Sequence, residues 1–173
     1  ADGSADLLSC EGKLSTRAGW GMVCVYVPTQ GHAEVLGVAC CAVATDENDA
    51  EFFGAYAKTN NTAEVSGAMA CMLRLRMLEA NVRISIHLDS EYALQVVQAK
   101  CRANNNVQLV TSARALLYGL GHVCAFCYVQ AHANHPWNEL ADRLAKMGSR
   151  RIRMPPRSTK FHDRLQAIDE YNT

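Results

Sequence analysis

QAHANHPWNELADRLA, residues 130–145, decides how this chain is read. Pro136 suits the first turn of a helix, where a missing N–H costs nothing, and Trp137, Leu140, Ala141 and Leu144 then form one apolar stripe. Just upstream, Cys124-x2-Cys127-x4-His132 has the spacing that opens a zinc knuckle, with His135 as a further donor. If HVCAFCYV (122–129) is a strand, however, Cys124 and Cys127 point to opposite faces and cannot share one ion. The next knuckle position falls on Trp137, and His135 gives a ligand spacing shorter than the usual finger pattern. The expectation is a strand with two buried thiols, a histidine-bearing loop and a helix, without zinc.

Working outward, the rest of the chain supplies strands and helices to pack against this helix. GWGMVCVYV (19–27) and AEVLGVACCAVA (33–44) read as strands joined by the turn PTQG, and the acidic TDENDAEFFG (45–54) reads as a loop. From Asn60 to Ala80 the period becomes helical, with Val65, Ala68, Met69, Met72 and Leu73 on one face. VRISIHL (82–88) alternates and ends at Asp89, and Ser90 is a natural N-cap for EYALQVVQAK. After the break NNN (104–106), VQLVTSARALLYGL reads as a helix closed by Gly121. Strands first and strand–helix units later suggest a mixed sheet with helices packed on it.

Composition narrows the class. The 173 residues are 49% hydrophobic and 20% charged, enough apolar surface for one globular domain. Basic and acidic residues balance at 17 each, so any nucleic-acid binding must rest on local patches or a partner's basic surface. No apolar run approaches the roughly 20 residues of a membrane span, and no signal-peptide pattern opens the sequence. The 8 cysteines lie mostly in apolar contexts, as Cys24, Cys40, Cys41 and Cys71 do, so reduced thiols and an intracellular protein are expected. Beyond Gly148, residues 149–173 differ: Arg150, Arg151, Arg153, Arg157 and Lys160 occur without an acid among them, interrupted by two prolines. That segment reads as a solvated basic tail, with TKFHDRLQAIDEY as a terminal amphipathic helix.

Four carboxylates stand at strand and helix ends: Asp2 in ADGSA, Glu64 early in its helix, Asp89 after its strand and Asp142 beside the late apolar stripe. Taken singly, each has an ordinary role as a turn residue, a cap or part of a solvated face. Together, ADGSA, TNNTAEVSGAMA, LDSEYALQ and QAHANHPWNELADRLA, in that order, resemble the ribonuclease H family over most of residues 1–147. The last segment is the most specific, since the His-x-x-His-Pro loop, the Asn-Glu pair and the Asp ten residues after the first His coincide.

The resemblance implies an α/β domain over residues 1–148: a five-stranded mixed sheet in the order 3-2-1-4-5 with helices on both faces. It places Asp2 and Asp89 on adjacent central strands, and implies that Asp2, Glu64, Asp89 and Asp142 bind two Mg2+ or Mn2+ ions. His132 is implied as a proton-handling residue on a loop, while His135 starts the helix as a structural residue. Thr59 matches a position that contacts the DNA-strand phosphate, and Asn60 and Asn61 match positions that contact the two strands. The implied activity is endonucleolytic hydrolysis of the RNA strand of RNA–DNA hybrids. Glu91 replaces an uncharged residue often found there, which is unfavourable for contact with nucleic acid.

QAKCRANNNVQL is short where many cellular members insert an extra helix and a basic loop, so the chain resembles retroviral and retroelement versions that act beside a reverse transcriptase. The apolar residues that normally precede the first catalytic acid do not precede Asp2, so the expectation is either a domain of a longer polyprotein or an incomplete start of the fold. The alternative from a different class is a ribonuclease H-like domain kept as a structural or nucleic-acid-binding part of a larger assembly.

Overall fold

A computed structural model describes residues 1–10, 13–77, 83–120 and 124–152. Its first ladder is antiparallel: β1 (Asp2–Cys10) pairs with β2 (Lys13–Tyr26), which pairs with β3 (Glu34–Ala42). The register sets Asp2 opposite Gly21 and Gly3 opposite Trp20. α1 (Asn60–Leu75) follows, then β4 (Ile84–Leu88), α2 (Glu91–Val97), α3 (Val107–Leu120), β5 (Cys124–Tyr128) and α4 (Pro136–Ser149). β4 and β5 form a parallel pair.

Adjacent residues of a strand face opposite ways, and β2 uses this to hold a helix on each side. A methyl group on Gly19 would collide with Ser149, and one on Gly21 with the carbonyl of Ala141, so this face of β2 presses directly on the α4 backbone. Gly148 of α4 answers with an equally close approach to Cys41 on β3. Trp20, between the two strand glycines, points the other way, where its Cβ meets Gly67 of α1 and its ring stacks on Phe53 at 6.4 Å. Two cores result. Val65, Met72, Leu88, Val96 and Leu109 lie in the larger one under α1, α2 and α3, and Leu140, Leu144 and Met147 pack on Val23, Val38 and Cys40 under α4.

Helix ends follow local chemistry. Thr59 and Thr62 close a reciprocal capping box at the start of α1, and Ser90 caps α2 by accepting from Ala93 N at 3.2 Å. Arg114 ties α3 to the end of α2 by donating to the carbonyls of Val96 and Cys101. The acidic insertion is a loop, turned by Asp46 and Asp49 side chains that accept from backbone N–H groups two residues on.

Two expectations change. A single five-stranded sheet does not form among the described residues: order β1-β2-β3 and the pair β4-β5 are separate ladders. The two meet where the Ala1 amino group donates to the His87 carbonyl at 2.8 Å. Asp2 and Asp89 are therefore not on hydrogen-bonded neighbouring strands. α1 also stops at Leu75, short of Ala80. The stop at Gly121, the tail arginines Arg153 and Arg157 and the helix expected over 159–171 lie outside the described residues.

Candidate active site

The acids come together because a glycine lets two elements touch. Gly3 has no room for a side chain: a methyl there would strike the backbone nitrogen of Glu64. β1 therefore lies directly against α1, and Asp2 and Glu64 become neighbours. Asp89 arrives at the end of β4, where Asn138 of α4 donates Nδ2–H to its Oδ2 at 2.9 Å. Ligand oxygens of Asp2, Glu64 and Asp89 all lie within 4.8 Å of one another. Gly3→Ala is expected to cost about 2–3 kcal/mol of stability, as overpacking does, and to part Asp2 from Glu64. Chemical denaturation with and without Mn2+ measures both effects.

The electrostatics of this cluster are unfavourable without a cation. Burial, then the charges of Asp89 and Asp142, push Asp2 up to about 7, although the Gly3 N–H donates to its Oδ1 at 2.6 Å. Burial, then Asp2 and Asp89, push Glu64 up to about 9. Glu64 Oε2 and Asp89 Oδ1 are buried with no hydrogen-bond partner. Glu64 Oε1 takes a long contact from Asn60 Nδ2 at 3.4 Å. Buried carboxylate oxygens left unpartnered are costly, and a hard divalent ion with oxygen preference satisfies them. The donor set fits Mg2+ or Mn2+.

These acids line a cavity of about 390 Å3 together with Asn60, Ser90, His132, Asp142 and Lys146. Asp142 thus reaches the same cleft but stands outside the three-acid group, its Oδ2 held by Lys146 Nζ at 2.6 Å. His132 is in the left-handed region at φ 52°, in the turn that carries β5 into α4. His135 is the N-cap residue of α4 and makes no side-chain cap bond.

The Thr59–Asn61 turn divides between two cavities. Asn60 faces the acids, whereas Thr59 and Asn61 line a second cavity of about 530 Å3 with Tyr56, Tyr92, Arg102 and Asn104–Asn106. Sequence reasoning missed Asn138 and Lys146. Asn138 is only 8% exposed, a burial that its local sequence does not announce. Cys124 and Cys127 lie half-buried on β5 as free thiols three residues apart, so they point to opposite faces, and burial pushes Cys124 up to about 11.

The RNase H family model matches residues 9–150. A protein named Ribonuclease H from Acidovorax sp. (strain JS42) is 29% identical over 114 residues, covering 58% of this chain and 75% of that protein. Another from Rickettsia massiliae (strain Mtu5) is 32% identical over 101 residues, covering 52% and 64%. Among solved structures, the solution structure of the PFV RNase H domain superposes with a TM-score of 0.58 at 15% identity, over 86% of this chain and 92% of that one. The native prototype foamy virus protease–reverse transcriptase gives 0.60 at 22% identity. That match covers 86% of this chain, which spans only 20% of the viral one. At these identities the structural matches establish the fold.

Proposed function

The chain belongs to the RNase H family, and we propose that it is a metal-dependent endonuclease that hydrolyses the RNA strand of RNA–DNA hybrids. The observation that carries this reading is the meeting of Asp2, Glu64 and Asp89 in one cleft, with two buried carboxylate oxygens left without partners. These three acids would hold a first Mg2+ or Mn2+ ion, and Asp142 would share a second. Bound metal supplies an activated water and neutralises charge that develops on the phosphodiester oxygens.

The chain's own groups do the rest. Asn138 fixes the rotamer of Asp89, and the Gly3 N–H holds one oxygen of Asp2. His132, on the cleft wall, would hand a proton to the departing 3′ oxygen, an exchange for which imidazole is the natural side chain near neutrality. Asn60 stands beside the acids, where a short amide can read the 2′-hydroxyl that distinguishes RNA. Thr59 and Asn61, which line the second cavity with Arg102, would hold the DNA strand.

A reverse transcriptase domain in the same polyprotein is the proposed partner. Its support is the likeness to the foamy virus chain, together with zero net charge and the short segment between α2 and α3. The foamy viral protease-reverse transcriptase in complex with RNA/DNA hybrid also superposes on this chain, at a TM-score of 0.61 and 15% identity. No helix among the described residues is long and apolar enough to cross a membrane.

The test uses an end-labelled hybrid, double-stranded RNA and double-stranded DNA, each with Mg2+, Mn2+ or chelator. Cleavage of the hybrid's RNA strand alone, abolished by chelator, is expected. One observation favours the second reading, a binding or structural domain: Asp142 is tied to Lys146 outside the acid group. That reading expects hybrid binding without cleavage.

A further inference from the structure

Four carboxylates line this cleft, yet they are not equivalent. Glu64 Oε2 and Asp89 Oδ1 are buried without partners, whereas Asp142 Oδ2 accepts from Lys146 Nζ at 2.6 Å. Lys146 itself lines the cavity, so this pair is part of the cleft wall and not of a remote helix surface. Resting on the reading that the three acids take a divalent ion, we propose that Lys146 is a built-in counter-cation at Asp142. The first divalent ion then enters at Asp2, Glu64 and Asp89, and a second one must displace the ammonium.

The helix prepares this arrangement. Asp142 and Lys146 are four apart on α4 with the acid on the N-terminal side, the favourable orientation for such a pair. α4 is held rigidly, since Leu144 and Met147 are buried and the β2 glycines press on its backbone. The two side chains differ in freedom: Asp142 is 16% exposed and stays in the cleft, whereas Lys146 is 41% exposed and can turn its ammonium into water. Displacement therefore needs only a rotamer change of one long side chain, not a movement of backbone. The consequence is stepwise loading, with the second ion bound more weakly than the three-acid site alone would suggest. The monovalent ammonium also neutralises the fourth carboxylate before any second ion arrives.

Calorimetric titration of the metal-free chain with Mn2+, and counting of bound ions by electron paramagnetic resonance, test this without reference to activity. The native chain should show a tight first event and a weaker second one. Lys146→Met should tighten the second event on the order of ten-fold and the first by much less, because an adjacent positive charge is removed. Lys146→Gln is a second neutral variant and should behave alike, while Lys146→Arg keeps the native pattern. Identical isotherms for native and both neutral variants overturn the inference but leave the proposed function standing, as do two equal events in the native chain. A native chain that takes up no divalent ion overturns both.

Discussion

Asp89→Asn is expected to lower hybrid cleavage at least a thousand-fold while leaving the fold intact. The substitution is nearly isosteric. Asn138 Nδ2 can still donate to the oxygen that remains, so the side chain keeps its place at the end of β4. What disappears is one of three converging negative charges, and with it the share of metal affinity that depends on an anionic ligand. Removing a single group that stabilises transition-state charge typically costs about 10²–10³ in rate. Loss of a direct metal ligand should exceed that. Asn138→Ala supplies the contrast, because it leaves the charge and removes only the orienting bond. A loss of about ten- to a hundred-fold is expected, partly recovered at raised Mn2+. Initial rates on a labelled hybrid at several Mn2+ concentrations separate the two, and undiminished cleavage by Asp89→Asn would sink the mechanism.

Both residues also show what a sequence can and cannot reveal. Asp89 was legible because VRISIHL alternates and stops, leaving an acid at a strand end before a Ser90 cap that the structure contains. Asn138 was not, because its partner lies 49 residues away and only tertiary packing joins α4 to β4. Lys146 was overlooked for a related reason: on a helix, an acid and a base four apart usually mark a solvated face, and nothing local says that this face lines a cleft. ADGSA shows the limit of a local signal. Asp-Gly is a turn signal by local preference, yet Gly3 serves a close strand–helix approach that only the position of α1 explains. The apolar stripe of α4, by contrast, was visible from spacing alone, because Leu140 and Leu144 pack by the same periodicity that names them.

The same crowding of charge leads to a stability that should fall as pH rises. Burial and mutual repulsion raise Asp2 from 3.8 to about 7 and Glu64 from 4.5 to about 9. Between pH 4 and pH 9 the folded, metal-free chain therefore retains protons that the unfolded chain has released. Linkage then requires stability to decline through that window, being fully present below the unfolded values and lost as pH passes the folded ones. Asp2 alone, raised by roughly three pK units at about 1.36 kcal/mol each, accounts for on the order of 4 kcal/mol between pH 4 and pH 8. That is a large part of the 5–15 kcal/mol typical of a domain. Thermal melting of the chelator-treated chain should accordingly drop by about 10 °C or more from pH 5 to pH 8.5. Millimolar Mn2+ should restore most of it at the upper end, because an ion held only by the folded state adds about 2.7 kcal/mol at a hundred times its Kd. Glu64→Gln provides the internal check. It removes a charge that the fold holds at a cost, so at pH 8.5 it should melt above the native chain, respond little to Mn2+ and yet be inactive on the hybrid. A native melting temperature that is flat across this range and indifferent to metal would mean that the three acids do not share one cleft in solution. A variant that gains stability by losing its function would mean that the cluster is kept for the cation it binds, since the fold alone is better off without that charge.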